Sequence, residues 1–322
     1  MKKIRISPPV AALILAIVLF LLSGFLPNSY GTDVNIAVAQ ATNIVRLAVF
    51  LGVIAAGQTL VIISGFEGID LSAGSVVTLT AILTYVIVSG DNAMVLPALL
   101  VAILVGALIG LLNGLGITYL KISPFVMTLG MSGVVTGAII VLNHGNVSGK
   151  VAPIMTRIIA RPIAPDIPIP GAILIWLVFG VFMWLLLERT TYGKNLFAIG
   201  VNRVTARLSG VRVSLMNILT YTLAGALTGF GGFLVVGNTG VVFIALGQPF
   251  LFPAIAAVAV GGTLLSGGKG SYWGTMAGAI VLTLLTSLLT TMQMPESVRR
   301  MVLGGTLLIL ISIYGRQRSF RQ

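Results

Sequence analysis

The sequence predicts an all-α, polytopic integral membrane protein with about ten transmembrane helices and both termini cytoplasmic. Three observations carry that prediction. The chain is 57% hydrophobic and 8% charged, with a mean hydropathy of +1.10. Average soluble domains are about 25% charged, so these few charges cannot cover a water-soluble surface. Apolar runs of bilayer-spanning length recur along all 322 residues, and a helix needs roughly 17–25 residues to cross. The strict alternation of membrane β-barrel strands is missing from those runs.

In chain order the expected spans are 10–26, 44–64, 72–89, 95–119, 124–142, 171–187, 214–236, 252–266, 272–290 and 299–314. The first begins as a signal peptide would, with Lys2, Lys3 and Arg5 ahead of apolar Val10 to Leu26, and Ala37-Val38-Ala39 imitates a cleavage site. Its apolar run exceeds the roughly 7–15 residues of a signal core, and the small residues lie far beyond it. It therefore reads as a retained span. With the N-terminus inside, 13 of the 19 basic residues fall inside and 6 outside, the latter being Arg46, Lys150, Arg157, Arg161, Arg299 and Arg300. That bias is the one membrane topology follows. Eight spans fit it equally, if 252–290 is divided differently.

Glycines four apart recur at Gly106, Gly110 and Gly114, at Gly133 and Gly137, at Gly225 and Gly229, and at Gly270, Gly274 and Gly278. Such spacing lets helix backbones approach closely in lipid. Packing within one subunit and a face for a second subunit both fit. The chain is expected to be one transmembrane domain, 1–322, with an outside loop at 143–170 and an inside loop at 188–213. The outside loop holds His144, Lys150, Arg157, Arg161, Asp166 and five prolines, and a short interfacial helix is expected over Ile154 to Ile159. A lone His144 makes no metal site, and Asn146-Val147-Ser148 is a glycosylation pattern only in a eukaryotic secretory setting. In the inside loop, Asn202 is placed to cap a short helix through Leu208, with Gly210 to end it. That loop is either a topology anchor or a docking surface for a cytosolic partner.

The most unusual stretch runs from Gly65 to Ser75. It sets Glu67, Asp70, Ser72 and Ser75 among Gly65, Gly68 and Gly74, between two apolar runs. A substrate or ion site is one reading. A helix start is the other, with Asp70 and Ser72 capping the third span from the inner boundary or from a re-entrant break. No ionisable residue lies in the interior of an expected span, and all seven acids sit in loops or at span ends. This argues against proton-driven transport and a charged substrate at the midplane, and against catalysis. The neutral polar residues Gln58, Thr59, Thr78, Asn113, Thr128, Ser132, Asn217 and Thr220 either line a path for a neutral solute or bond helices together.

The net charge of +12 does not indicate nucleic acid, because the basic residues are scattered between apolar runs. With no cysteine, disulfides and cysteine-based metal or redox sites are excluded. Gly261 to Gly270 imitates a phosphate loop, but Thr263 stands at its first glycine and Gly270 follows Lys269. The nucleotide motif needs Gly and Ser or Thr there. Any ATP is bound by another subunit.

At this point the residues resemble a family. Gly68-Ile69-Asp70-Leu71-Ser72-Ala73-Gly74-Ser75 is similar to the G-I-D-L-S-V-G-S signature of ribose-type sugar permeases of ATP-binding-cassette (ABC) importers. Val260 to Ser271, followed by Gly274-Thr275, resembles that family's V-G-G-T-S-L-S-G-G-x-G-S-x-x-G-T through Gly261, Gly262, Ser266, Gly267, Gly268 and Gly270. Gly193 to Gly210 resembles a third motif, G-x-x-x-Y-A-I-G-G-N-x-x-A-A-x-x-x-G. The motifs fall in the family's order and the resemblance covers nearly the whole chain. Branched-chain amino-acid permeases resemble it more distantly, and Asp70 and Ser72 favour the sugar branch.

The resemblance implies a non-catalytic permease in a bacterial inner membrane, binding no cofactor itself. Its implied partners are a second permease subunit, a periplasmic sugar-binding protein and a cytosolic ABC ATPase. It places ATPase docking on Asn202, Arg203, Val204, Thr205, Ala206, Arg207, Leu208, Ser209 and Gly210, and a signature or gate on Glu67, Gly68, Asp70, Ser72 and Gly74. Phe197 stands for Tyr, Val201 for Gly, and Val204-Thr205-Ala206 where Glu-Ala-Ala is usual, so a Glu expected at the ATPase contact is missing. The alternative is an ATP-independent carrier or facilitator for a neutral solute, and behind it a membrane-embedded enzyme.

Overall fold

The axis of the fold is one long helix, α2 (Val34–Ile63). Asp33 starts it by accepting the backbone N–H of Asn35 at 2.8 Å and of Ile36 at 3.2 Å. From Ala48 to Ile63 every residue is buried, as in a helix that is apolar all round and wrapped by others. The computed structural model describes residues 8–25, 31, 33–65, 68–143, 147–164 and 167–316.

Around α2 stand α1 (Pro8–Ser23), α3 (Ala73–Val88), α4 (Val95–Tyr119), α5 (Pro124–Asn143) and α6 (Pro153–Ala160). They are followed by α7 (Gly171–Trp184), which runs on as a π-helical turn through Leu185–Arg189, then α8 (Thr191–Val201) and α9 (Arg203–Leu208). The chain continues with α10 (Val213–Thr239), α11 (Gln248–Val260), α12 (Tyr272–Thr291) and α13 (Glu296–Arg316). Each of the ten expected spans contains one of these helices. Among the described residues, six helices are long and apolar enough to cross a membrane: α2, α4 with the short turn before it, α5, α7 with its π-helical extension, α10 and α12. The helices α1, α3 and α11 are apolar but shorter.

Two boundaries differ from expectation. The helix expected over 252–266 is α11, which begins at Gln248 and stops at Val260. Gly262, Gly267 and Gly268 have φ of +86°, +86° and +75°, which right-handed helix does not allow. The second helix starts ten residues early, so Arg46 lies inside it, bonded to Asn43 Oδ1 at 2.7 Å and Asn238 Oδ1 at 3.2 Å. Two short strands, β1 (Pro162–Ala164) and β2 (Ile167–Pro170), pair antiparallel after α6 and were not expected. The calls on Lys2, Lys3, Arg5, His144, Asn146, Asp166, Arg318 and Arg321 lie outside the described residues.

Glycine decides which helices touch. A Cβ on Gly106 would sit 2.2 Å from Gly225 O, and one on Gly225 would sit 2.1 Å from Gly106 O. Gly110 meets Tyr221 O at 2.0 Å and Gly229 meets Ala102 O at 2.2 Å in the same construction. Thus α4 and α10 cross backbone to backbone. Gly274 and Gly278 press likewise on Gly261 and Ala257, joining α12 to α11. Gly52 leaves room for the indole of Trp176, which donates to Tyr272 Oη at 3.0 Å, and that hydroxyl donates to Gly52 O at 3.0 Å. One three-way contact so ties α2, α7 and α12. On α5, by contrast, Gly130, Gly133 and Gly137 face open space.

This difference is measurable. Gly225→Ala is expected to lower the stability of the detergent-solubilised protein by about 1–3 kcal/mol through overpacking. Gly137→Ala is expected to change it by no more than about 0.5 kcal/mol. Unfolding midpoints of the two variants, compared with the parent chain, provide the check.

Candidate functional site

The three sequence motifs meet at the C-terminal end of α2. Gly65, with φ +72°, ends that helix in the left-handed conformation usual for a terminal glycine. Its neighbours in space are Ser266 O and Gly200, at 3.2 Å and 3.3 Å from where its Cβ would be. A Cβ on Gly200 would lie 2.0 Å from Ile63 O and 2.4 Å from Gly268 N, and one on Gly267 would lie 2.4 Å from Gly65 Cα. The last carbonyls of a helix lack partners within it. Here Gly268 N–H donates to Ile63 O at 2.9 Å. Gly65 lies three residues before the first motif, Gly200 in the third and Gly267-Gly268 in the second, and no side chain could fit between them.

After this point the chain doubles back along α2. Gln58 Nε2 donates to Asp70 O at 2.6 Å, and Asp70 N–H donates to Gln58 Oε1 at 3.2 Å. Gln58 lies five residues before the end of the helix, a return of about 7.5 Å along its axis. Gly68 packs on Val61 O, where a Cβ would stand 2.5 Å away. Of the two placements expected for this stretch, the re-entrant break describes it.

Asp70 is 3% exposed. Its Oδ1 accepts Ser72 N–H at 2.8 Å and the Ser72 hydroxyl at 2.5 Å. The helix start was expected from both residues, but their parts differ. Ser72 makes no side-chain cap bond to α3. Its hydroxyl donates to Asp70 and accepts Asn113 Nδ2 from α4 at 3.0 Å. Asp70 supplies the oxygen for the entry to α3, and Ser72 carries the bond onward to α4. From α5, Thr128 Oγ1 accepts Leu71 N–H at 3.0 Å. The segment Asp70 to Ser72 therefore joins α2 and α5 through its backbone and α4 through the Ser72 hydroxyl, while the Asp70 carboxylate holds Ser72 at the entry to α3. Gly74 lies beside Gly247 in the turn before α11, and Thr78 Oγ1 accepts Gly247 N–H at 2.9 Å. Glu67 lies outside the described residues.

The other neutral polar residues are used in the same way. Thr59 and Thr275 hydroxyls are 2.8 Å apart, Tyr192 donates to Thr220 at 3.1 Å, and Arg203 Nη2 donates to Asn217 Oδ1 at 2.8 Å. They join α2 to α12, α8 to α10, and α9 to α10. The alternative in which these residues line a path through the chain is not what the bonding shows, Ser132 excepted.

The third motif ends in α9. Asn202 Oδ1 accepts Val204 N–H at 2.9 Å and Thr205 N–H at 3.1 Å, the expected cap. Gly210, with φ +87°, follows its end. Ala206 is 3% exposed and faces inward, whereas Val201, Val204 and Leu208 are 72%, 68% and 84% exposed. Arg203 is half-buried, and burial pulls its pKa below the ordinary arginine value. Only Val201 and Asn202 separate Gly200, at the junction, from this exposed helix. Sequence reasoning placed docking on Asn202 to Gly210 and gave Gly200, within the same motif, no part of its own. Its signal was a glycine inside a helical pattern, which asks for a close backbone approach.

A helical bundle with two glycine-rich breaks and a short exposed helix anchored between them defines a membrane transport component. The chain belongs to the family described as "Branched-chain amino acid transport system / permease component", which matches residues 40–311. It is 36% identical over 279 residues to the ribose import permease protein RbsC of Bacillus subtilis, covering 86% of this chain and 84% of that protein. It is 30% identical to the autoinducer 2 import system permease protein LsrC of Shigella flexneri, over 99% and 90% of the two chains. It is 32% identical to the galactose/methyl galactoside import permease protein MglC of Salmonella typhimurium, over 94% and 91%. The resemblance to ribose-type permeases is borne out, and the chain is a permease component and not an enzyme. No solved structure matches.

Asp70 gives the sharpest test of the site. Asp70→Ala leaves a buried Ser72 N–H without its acceptor and is expected to cost about 1–3 kcal/mol. Asp70→Asn keeps an oxygen in place and is expected to cost roughly 1 kcal/mol less. Thermal unfolding of the two variants in detergent measures the gap, and equal losses would mean that the Ser72 bonds do not hold the break.

Proposed function

We propose that this chain is the membrane-spanning permease of an ATP-driven importer for a monosaccharide or a similar neutral polyol. The observation that carries the reading is the junction at Gly65, Gly200 and Gly268, where the exposed helix α9 is joined within two residues to both membrane breaks. A displacement of α9 has a short, backbone-to-backbone route into the bundle. The cytosolic ATPase docks on Asn202 to Gly210. In place of the missing Glu, α9 offers an apolar face of Val201, Val204 and Leu208. ATPase states that bind this face differently shift the balance between inward-open and outward-open forms.

Ten crossings, with both termini cytoplasmic, place α8 and α9 inside and α6 outside. The membrane is a bacterial inner membrane, and a periplasmic binding protein delivers the solute to the outer face. A second permease subunit packs against α5, where Gly130, Gly133 and Gly137 are open. The solute path runs between the two subunits, in keeping with polar side chains inside one chain being used to join helices. A neutral sugar is favoured by the names of the relatives and by the lack of ionisable groups in the interiors of the expected spans.

Reconstitution with its ATPase and binding protein in vesicles tests the proposal, using a panel of labelled sugars. ATP-dependent uptake is the expected outcome, and ATP-independent uptake by this chain alone would support the carrier instead. Leu208→Asp together with Val204→Asp is expected to lower uptake at least tenfold, since charge placed in a docking face must be desolvated. The unfolding midpoint should remain unchanged, because both side chains are exposed.

A further inference from the structure

The far end of the bundle carries a site that none of the motifs covers. Both α3 and α10 run from the junction to this end, about 40 Å along α10. Here α6 is pinned by Met155 and Ile159, whose side chains fill the space beside Gly237. Gly90 N–H donates to Lys150 O at 2.8 Å, and Ile154 N–H donates to Asn92 Oδ1 at 3.1 Å. These bonds fix α6 against the turn after α3. Between them lies a cavity of about 440 Å³ lined by Asn92, Pro153, Ile154, Thr156, Arg157 and Arg161.

The lining is rich in donors. Arg157 and Arg161 stand one turn apart and exposed. Among the described residues neither is paired with a carboxylate, and the ion pair found there is Arg300 with Glu296. The Asn92 oxygen is already bonded, so what it offers a ligand is its NH₂. Thr156 adds a hydroxyl, and among the described residues no carboxylate lines the cavity. The rest of the wall is Pro153 and Ile154, the latter 39% exposed, and Ile158 and Ile163, close to the two arginines in the sequence, are each 51% exposed.

We propose that this pocket binds the phosphate of an anionic phospholipid head group at the outer membrane surface, with an acyl chain along the exposed isoleucines. The placement rests on the orientation given under the proposed function. Guanidinium groups match phosphate oxygens in paired hydrogen bonds. Basic residues are disfavoured in short outside loops, so two of them one turn apart, with no carboxylate beside them among the described residues, call for a local anion. The cavity is of ligand-site size, in the range of roughly 300–1,000 Å³. An acidic loop of a partner protein could meet the arginines, but it would leave the isoleucines uncovered. A lipid covers both.

The test uses the purified full-length chain in detergent, with phosphatidylglycerol or phosphatidylcholine added, and native mass spectrometry to count retained lipid. The parent chain is expected to retain phosphatidylglycerol about tenfold over phosphatidylcholine. Arg157→Ala with Arg161→Ala is expected to abolish that preference at an unchanged unfolding midpoint, and Arg157→Lys with Arg161→Lys to keep part of it. Equal retention of the two lipids by the parent chain, or an undiminished preference in the alanine variant, would overturn the proposal. So would full displacement by millimolar inorganic phosphate, which marks a free-anion site. Loss of binding-protein association in a variant whose lipid preference is intact would assign the arginines to protein docking instead. Lipid retention requires neither ATPase nor substrate, so failure of the importer reading and failure of this one are separately visible.

Discussion

A helix that ends inside a protein must find partners for its last carbonyls, and in this chain that requirement shapes the whole centre. The carbonyl of Ile63 is met by Gly268 N–H at 2.9 Å, since α2 is buried to its last turn. For that amide to reach it, two other backbones must come within van der Waals distance. Glycine is what allows this at positions 65, 200, 267 and 268. The interruption of α11 follows from the same demand, because the segment 261–271 is needed at the end of α2 more than it is needed as helix. Backbone contact is also stiff. With no side-chain rotamers to absorb a displacement, motion at one of the three segments is passed to the others.

Asp70 belongs to this arrangement as a structural hydrogen-bond acceptor. In water-free surroundings a carboxylate is costly unless its oxygens are bonded. The Ser72 amide and hydroxyl provide two bonds to Oδ1. Ser72 in turn accepts from Asn113, so the break, α3 and α4 are held by a chain of short polar contacts inside an otherwise apolar bundle. Such a chain is directional and specifies one register of the break, which apolar packing by itself does not do.

Much of this was legible in the sequence. The ten apolar segments each hold a helix, because hydropathy and length are local properties. Asn202 and Gly210 announced the ends of α9 through their own chemistry. Asp70 was legible as the start of α3, but the bond onward from Ser72 to Asn113 was not, since those partners are 41 residues apart. The end of α11 was misplaced because apolar Leu264 and Leu265 extend the hydropathy signal past Gly261 and Gly262, while the backbone angles there obey a contact with α2. The strands after α6 were hidden by prolines, which usually argue against strands but fit a two-stranded pairing with open edges. Gly200 carried a signal as a glycine inside a helical pattern, but which backbones approach it is non-local and was not legible, as with the partner of Asn113.

The distribution of glycine separates what is fixed in this chain from what is left for a partner. Where α4 meets α10 and α11 meets α12, glycines face backbone oxygens of the same chain at distances no methyl group could share. On α5 the same residue type, at similar spacing, faces nothing. In lipid there is little hydrophobic drive to bring helices together, so association depends on close packing of this kind. The two closed crossings hold one subunit as a unit around α2. The open glycines of α5 leave a face on which a second backbone can settle equally closely. The glycine junction, the exposed α9 and the open α5 face then lie on one connected body.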